Sequence, residues 1–110
     1  KYTAASGTPE LKQAVCGRLK RKYNLNYKPA QIVISNGAKH SLYNTFQAIL
    51  NPGDEVIIFA PYWVSYSELV KMAGGVPVFV ETSADKNFEP EKEVIEKAVT
   101  PKTAAVIIVI

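Results

Sequence analysis

Residues 56–61 and 104–110 of this chain are apolar at every position, and no other feature restricts the possible folds as strongly. A strand with one wet face alternates apolar and polar residues. A strand that is apolar throughout needs cover on both faces, the situation of a parallel sheet flanked by helices. Neither run approaches the roughly 20 residues that cross a bilayer as a helix, so no membrane segment is expected. With 47% hydrophobic and 21% charged residues, the composition fits one globular domain and excludes a disordered or collagenous chain. Thirteen Lys plus Arg against ten Asp plus Glu leave a formal net charge of only +3, which excludes a strong polyelectrolyte. The basic cluster Arg18-Leu19-Lys20-Arg21-Lys22 lacks interleaved aromatics and a wider basic field, so it reads as a solvated helix face, with no nucleic-acid partner. Cys16 is the single cysteine, which rules out an intrachain disulfide and a cysteine-cluster zinc site and points to a reducing compartment, the cytoplasm.

Between the apolar runs the chain alternates in character. Thr8-Pro9-Glu10 is a helix start: Thr can cap the free amides, Pro is tolerated at the first helical position, and Glu complements the positive end. Leu11, Ala14, Val15, Leu19 and Tyr23 then recur at helical spacing and form one apolar stripe. A β-branched strand is expected over 31–35, a sharp turn at Asn36-Gly37, and a helix over 38–50 stopped by Asn51-Pro52-Gly53-Asp54. The strand at 55–60 ends at Pro61, and a helix over 62–73 closes at Gly74-Gly75. A strand follows over 76–81, where Pro77 cannot donate to a ladder and belongs near the strand start or on an edge. Pro90 opens a last helix through 99, and 104–110 is the closing strand. This order predicts an α/β fold with a mostly parallel sheet built from right-handed crossovers.

Two places could carry chemistry. Ile34-Ser35-Asn36-Gly37-Ala38-Lys39 sets a small-residue turn between a strand end and a helix start. Free amides and the helix dipole favour an anion there, Gly37 lets a phosphate approach the backbone, and Lys39 adds a full charge. Taken alone, the segment is equally readable as a plain strand-to-helix turn that needs glycine for its backbone angles. Neither GxxxxGK[ST] nor GxGxxG occurs. Pro61-Tyr62-Trp63 lies just past the carboxyl end of the 55–60 strand, the edge where open α/β sheets bind ligands. Trp63 there could offer a flat face to a planar ligand or be a half-buried packing residue. Together the two places favour a phosphorylated planar cofactor. His40, the only histidine, is expected on the helix surface or behind the site, no catalytic triad can be assembled, and no metal-ligand spacing is visible. The acidic residues Glu89, Glu91, Glu93 and Glu96 read as a solvated helix face.

In order and spacing, Lys1-Tyr2, Ser6-Gly7-Thr8-Pro9-Glu10-Leu11, Asn36-Gly37-Ala38-Lys39, Phe46 through Val56, and Ala60-Pro61-Tyr62-Trp63-Val64-Ser65-Tyr66 resemble the class I/II aminotransferases of fold type I. Within them the likeness is greatest to the bacterial-type aspartate aminotransferase branch. The resemblance implies part of a three-layer, mostly parallel sheet and pyridoxal 5'-phosphate as cofactor, with Gly37, Ala38 and Lys39 at its phosphate and Trp63 stacked on its ring. Tyr2 matches the tyrosine that reaches the phosphate of a neighbouring subunit, which implies a homodimer. The substrates implied are an L-amino acid, with aspartate the first choice, and a 2-oxo acid. His40 stands where the family pattern has glutamine. No position matches the family's Schiff-base lysine, its ring-pairing aspartate or its substrate-binding arginine. Residues 1–110 are therefore read as a partial cofactor-binding large domain with no catalytic residue of its own, inactive alone and with open sheet edges if isolated. The alternatives are another fold-type I enzyme, such as an aromatic or alanine aminotransferase, a lyase or a synthase, and a non-catalytic anion-binding module.

Overall fold

The computed structural model describes residues 2–109 and divides into two compact units, Lys1–Ser41 and Leu42–Ile110. The first unit opens on helix α1, Pro9–Tyr23, as its start signals require. The Thr8 hydroxyl oxygen accepts from the Leu11 amide at 3.4 Å, and Asn24 ends the helix in the left-handed region at φ 55°. No residue of α1 is buried, so its apolar stripe has no complete cover among the described residues. Pro29–Gln31 forms a single 3-10 turn.

The strand expected over 31–35 is not formed. Gln31 belongs to the 3-10 turn, and the backbone of Ile32 is extended at φ −107°, ψ 129°, yet residues 32–35 enter no ladder. A strand exists only by pairing. The Ile34 amide instead donates to the Ser6 carbonyl at 2.9 Å. The chain at Gly7 presses so closely on Ile34 that a Cβ added to the glycine would lie 2.4 Å from Ile34 Cγ1.

Helix α2, Ala38–Ile49, starts in the first unit and runs on into the second. It stops at Asn51-Pro52-Gly53-Asp54, where the Asp54 carboxylate accepts from the Asn51 amide at 2.8 Å. Strand β1 spans Glu55–Ala60, helix α3 Ser65–Met72, strand β2 Val76–Glu81, helix α4 Lys92–Ala98 and strand β3 Thr103–Ile107, with a 3-10 turn at Ala84–Lys86 before α4. Both β1 and β2 keep the bounds expected from their apolar runs. The last strand ends its ladder at Ile107, so Ile108 and Val109 lie beyond it and Ile110 falls outside the described residues.

The three strands form one parallel sheet in the order β2-β1-β3. Pro77 is the second residue of a strand at the sheet edge, where its missing donor costs least. The connection from β1 to β2 moves one way across the sheet and that from β2 to β3 moves back past β1. With right-handed crossovers, α3 and α4 then cover opposite faces. The burial of β1 agrees: Val56, Ile57 and Ile58 are all enclosed, although consecutive residues point to opposite faces. Val56 and Ile58 pack with Phe46 and Leu50 of α2 and Val70 of α3, flanked by Ala105 and Ile107. Ile57 shares the other face with Val80, the neighbour of its strand partner Val78 by one pleat. Each such side chain contributes about 1.5–3 kcal/mol by leaving water.

Candidate functional site

The turn before α2 is held from three directions. Gly37 sits at φ 90°, a region open to glycine but costly to other L-residues, and its amide donates to the Ser35 carbonyl at 3.0 Å. Its own carbonyl accepts from Ser41 at 3.2 Å and begins the helix ladder. The Asn36 amide donates to Nδ1 of His40 at 3.0 Å, so the histidine folds back over the turn. The amides of Ala38 and Lys39, in the first turn of the helix, have no intrahelical acceptor and no other backbone partner among the described residues. A Cβ added to Gly37 would meet nothing within 4 Å, so the space in front of the turn is open. Lys39 is exposed, and its ammonium makes no ion pair among the described residues. Open amides, the positive end of a twelve-residue helix and one uncommitted cation together suit an anion. Tyr2 belongs to the same unit and is fully exposed.

Trp63 lies in the other unit, past the carboxyl end of β1. The helix expected to start at residue 62 starts at Ser65, which leaves Tyr62 and Trp63 on the connecting loop. The Ala60–Pro61 peptide bond there is cis. Thr82, the residue after β2, donates twice to the Ala60 carbonyl, from its amide at 3.0 Å and from its hydroxyl at 2.5 Å. Tyr62 stacks on Phe79 of β2 with ring centroids 4.9 Å apart and 15° between planes. Trp63 is 63% exposed, and its indole N–H donates to the Ser65 hydroxyl oxygen at 3.0 Å. That bond fixes one edge of the indole and leaves the ring broadly accessible, which a packing role would not require.

Among the described residues, hollows flank this loop. One, of about 170 Å³, is lined by Ile58, Pro61, Tyr62, Thr82, Phe88 and Ile107 among others. Another, of about 370 Å³, is lined by Pro61, Tyr62, Trp63, Tyr66 and Val109. Phe88 follows Asn87 in the left-handed region, at φ 57° and 53°, an uncommon conformation for an aromatic residue. Thr82 and Phe79 have no local signal in the sequence, because only the β1–β2 register brings them to Ala60 and Tyr62. Among the described residues no group of three or more His, Cys, Asp or Glu could hold a metal ion, and no helix is long and apolar enough to cross a membrane.

Known proteins are similar to this chain in sequence and in backbone. An aspartate aminotransferase of Bacillus sp. (strain YM-2) is 55% identical over 108 residues, 98% of this chain and 28% of its own length. A probable aspartate/prephenate aminotransferase of Thermus aquaticus is 47% identical with the same coverage of each. Among solved structures, aspartate aminotransferase from Thermus thermophilus with maleate superposes with a TM-score of 0.95 at 45% identity, over 98% of this chain and 28% of that one. Alanine aminotransferase from Pyrococcus furiosus gives 0.92 at 33% identity, over 96% and 27%. The chain thus spans a little over a quarter of the length of the relatives it matches. The family model for aminotransferase class I and II matches residues 1–110, and the chain belongs to that family.

Proposed function

We propose that residues 1–110 are part of the cofactor-binding large domain of a pyridoxal-phosphate-dependent aminotransferase that moves an amino group between an L-amino acid and a 2-oxo acid. The observation that carries this is the open turn at Gly37. Among the described residues it has two amides without backbone partners, a Lys39 without an ion pair and open space where any other residue would put its Cβ, a combination that suits an anion such as a phosphate. The residues present fit the group. Ala38 and Lys39 would hold its phosphate through their amides, Lys39 would neutralise part of its charge, and Gly37 would make room for it. Trp63 would lie against its ring and shield that face from water. Tyr2 would serve the phosphate of a second subunit in a homodimer. When bound, the cofactor supplies an electron sink for the bonds at the substrate's α-carbon.

Aspartate is the first candidate for the amino acid, because the relatives named above are an aspartate and an aspartate/prephenate aminotransferase. The lysine that anchors the cofactor would come from outside these residues, and the cytoplasm is the proposed compartment. The test uses the full-length protein: it should bind pyridoxal phosphate with a visible absorbance band, and borohydride should fix the cofactor to a single lysine, located by peptide mass, outside residues 1–110. A full-length protein that binds no pyridoxal phosphate, or is fixed at Lys39, refutes the reading.

A further inference from the structure

We infer that His40 is a positioning residue for the phosphate-binding turn, one that aims the amides of Ala38 and Lys39 without touching the anion. The inference rests on the proposed role of that turn. With Gly37 as the cap, His40 is the third helical residue of α2, the position from which a glutamate or glutamine side chain commonly reaches back to a backbone amide at the helix start. Here an imidazole does so, its Nδ1 standing 3.0 Å from the Asn36 amide nitrogen. An Nδ1 that accepts a hydrogen bond carries no proton, so the ring holds its proton on Nε2.

The consequence is mechanical. Hydrogen bonds at the peptide units around Asn36 and Gly37 include Gly37 to the Ser35 carbonyl, Ser41 to the Gly37 carbonyl, and Asn36 to His40. The first two lie within the backbone and tie each side of Gly37 to its near neighbours. The third is the side-chain tie among them, running from the residue before the cap to the first turn of the helix. Without it, the turn can rotate at Gly37, whose backbone angles are the least restricted in the segment, and the two open amides lose their common direction. Glutamine has the same acceptor in reach and leucine or alanine has none, which makes the role separable from bulk.

The experiment uses the full-length protein freed of cofactor and compares binding of pyridoxal phosphate with that of pyridoxal, which lacks the phosphate. His40→Leu and His40→Ala should each raise the dissociation constant for pyridoxal phosphate by about 2- to 12-fold, the range set by one net hydrogen bond, and leave that for pyridoxal unchanged. His40→Gln should restore wild-type binding. His40 is exposed, and two truncations of different bulk guard against one that fails to fold. Unchanged binding in both truncations overturns the inference, and so does a glutamine variant as weak as they are or an equal loss with pyridoxal. Wild-type protein that binds pyridoxal phosphate no better than pyridoxal overturns instead the phosphate reading on which it rests.

Discussion

Replacing Gly37 and, separately, Gly53 by alanine divides the cost of a backbone angle from that of a blocked anion site. The two glycines are matched: φ is 90° at Gly37 and 88° at Gly53, and in neither case would an added Cβ meet an atom within 4 Å. Alanine at either position therefore takes on left-handed backbone strain of about 1–2 kcal/mol and no steric clash. In full-length protein freed of cofactor, the two variants should lose thermal stability by the same amount. Cofactor binding should separate them. The Gly37 amide is already engaged by the Ser35 carbonyl, so the contribution of this residue is room rather than a donor. A methyl group there would hold the phosphate off the Ala38 and Lys39 amides, and losing one hydrogen bond to a charged group costs about 1.5–3 kcal/mol. At about 1.4 kcal/mol per tenfold, the dissociation constant for pyridoxal phosphate should rise by about 10- to 150-fold in Gly37→Ala and stay within about twofold in Gly53→Ala. A spectroscopic titration of both proteins decides it. If Gly37→Ala keeps wild-type affinity, or Gly53→Ala loses as much, the phosphate does not lie against Gly37.

Trp63→Ala should weaken pyridoxal phosphate binding by about 2- to 12-fold, the equivalent of one aromatic stacking contact, while the thermal midpoint of the cofactor-free protein hardly moves, since the indole is largely exposed. Equal affinity in the titration would detach the indole from the cofactor. Ile58→Ala empties a site that is 1% exposed between α2 and α3 and should destabilise by about 2–5 kcal/mol in chemical denaturation. Lys71→Ala removes only the exposed pair with Glu68, at 2.9 Å, and should cost less than about 1 kcal/mol. Similar losses in the two variants would contradict the assigned core.

The elements that the linear chain announced are those whose causes are local. Strands β1 and β2 have the bounds their β-branched runs and flanking breakers require, and α1 starts at Pro9 behind a threonine cap. The glycine turn before α2 and the place of Trp63 after a strand were legible for the same reason, since backbone angles and breaker residues act over a few positions. Segment 32–35 shows where that ends. It has strand residues, and Ile32 is extended, but a ladder is made of partner groups that no local preference can supply.

The sequence by itself determined the α/β class, the parallel sheet and the positions of the turns at Gly37 and Trp63, because apolar runs without alternation and breaker residues between elements leave few other uses. Only the tertiary structure decided which residues stand behind those turns. The pairing of β1 with β2 brings Thr82 onto the Ala60 carbonyl and Phe79 under Tyr62, and α3 starts only at Ser65, after Tyr62 and Trp63. The return of His40 to the Asn36 amide likewise depends on a rotamer rather than on a residue type. The physical reason is common to all of these: backbone preference is a property of neighbours in the chain, whereas a hydrogen bond or a ring contact is set by which groups the fold brings within about 3–5 Å of each other.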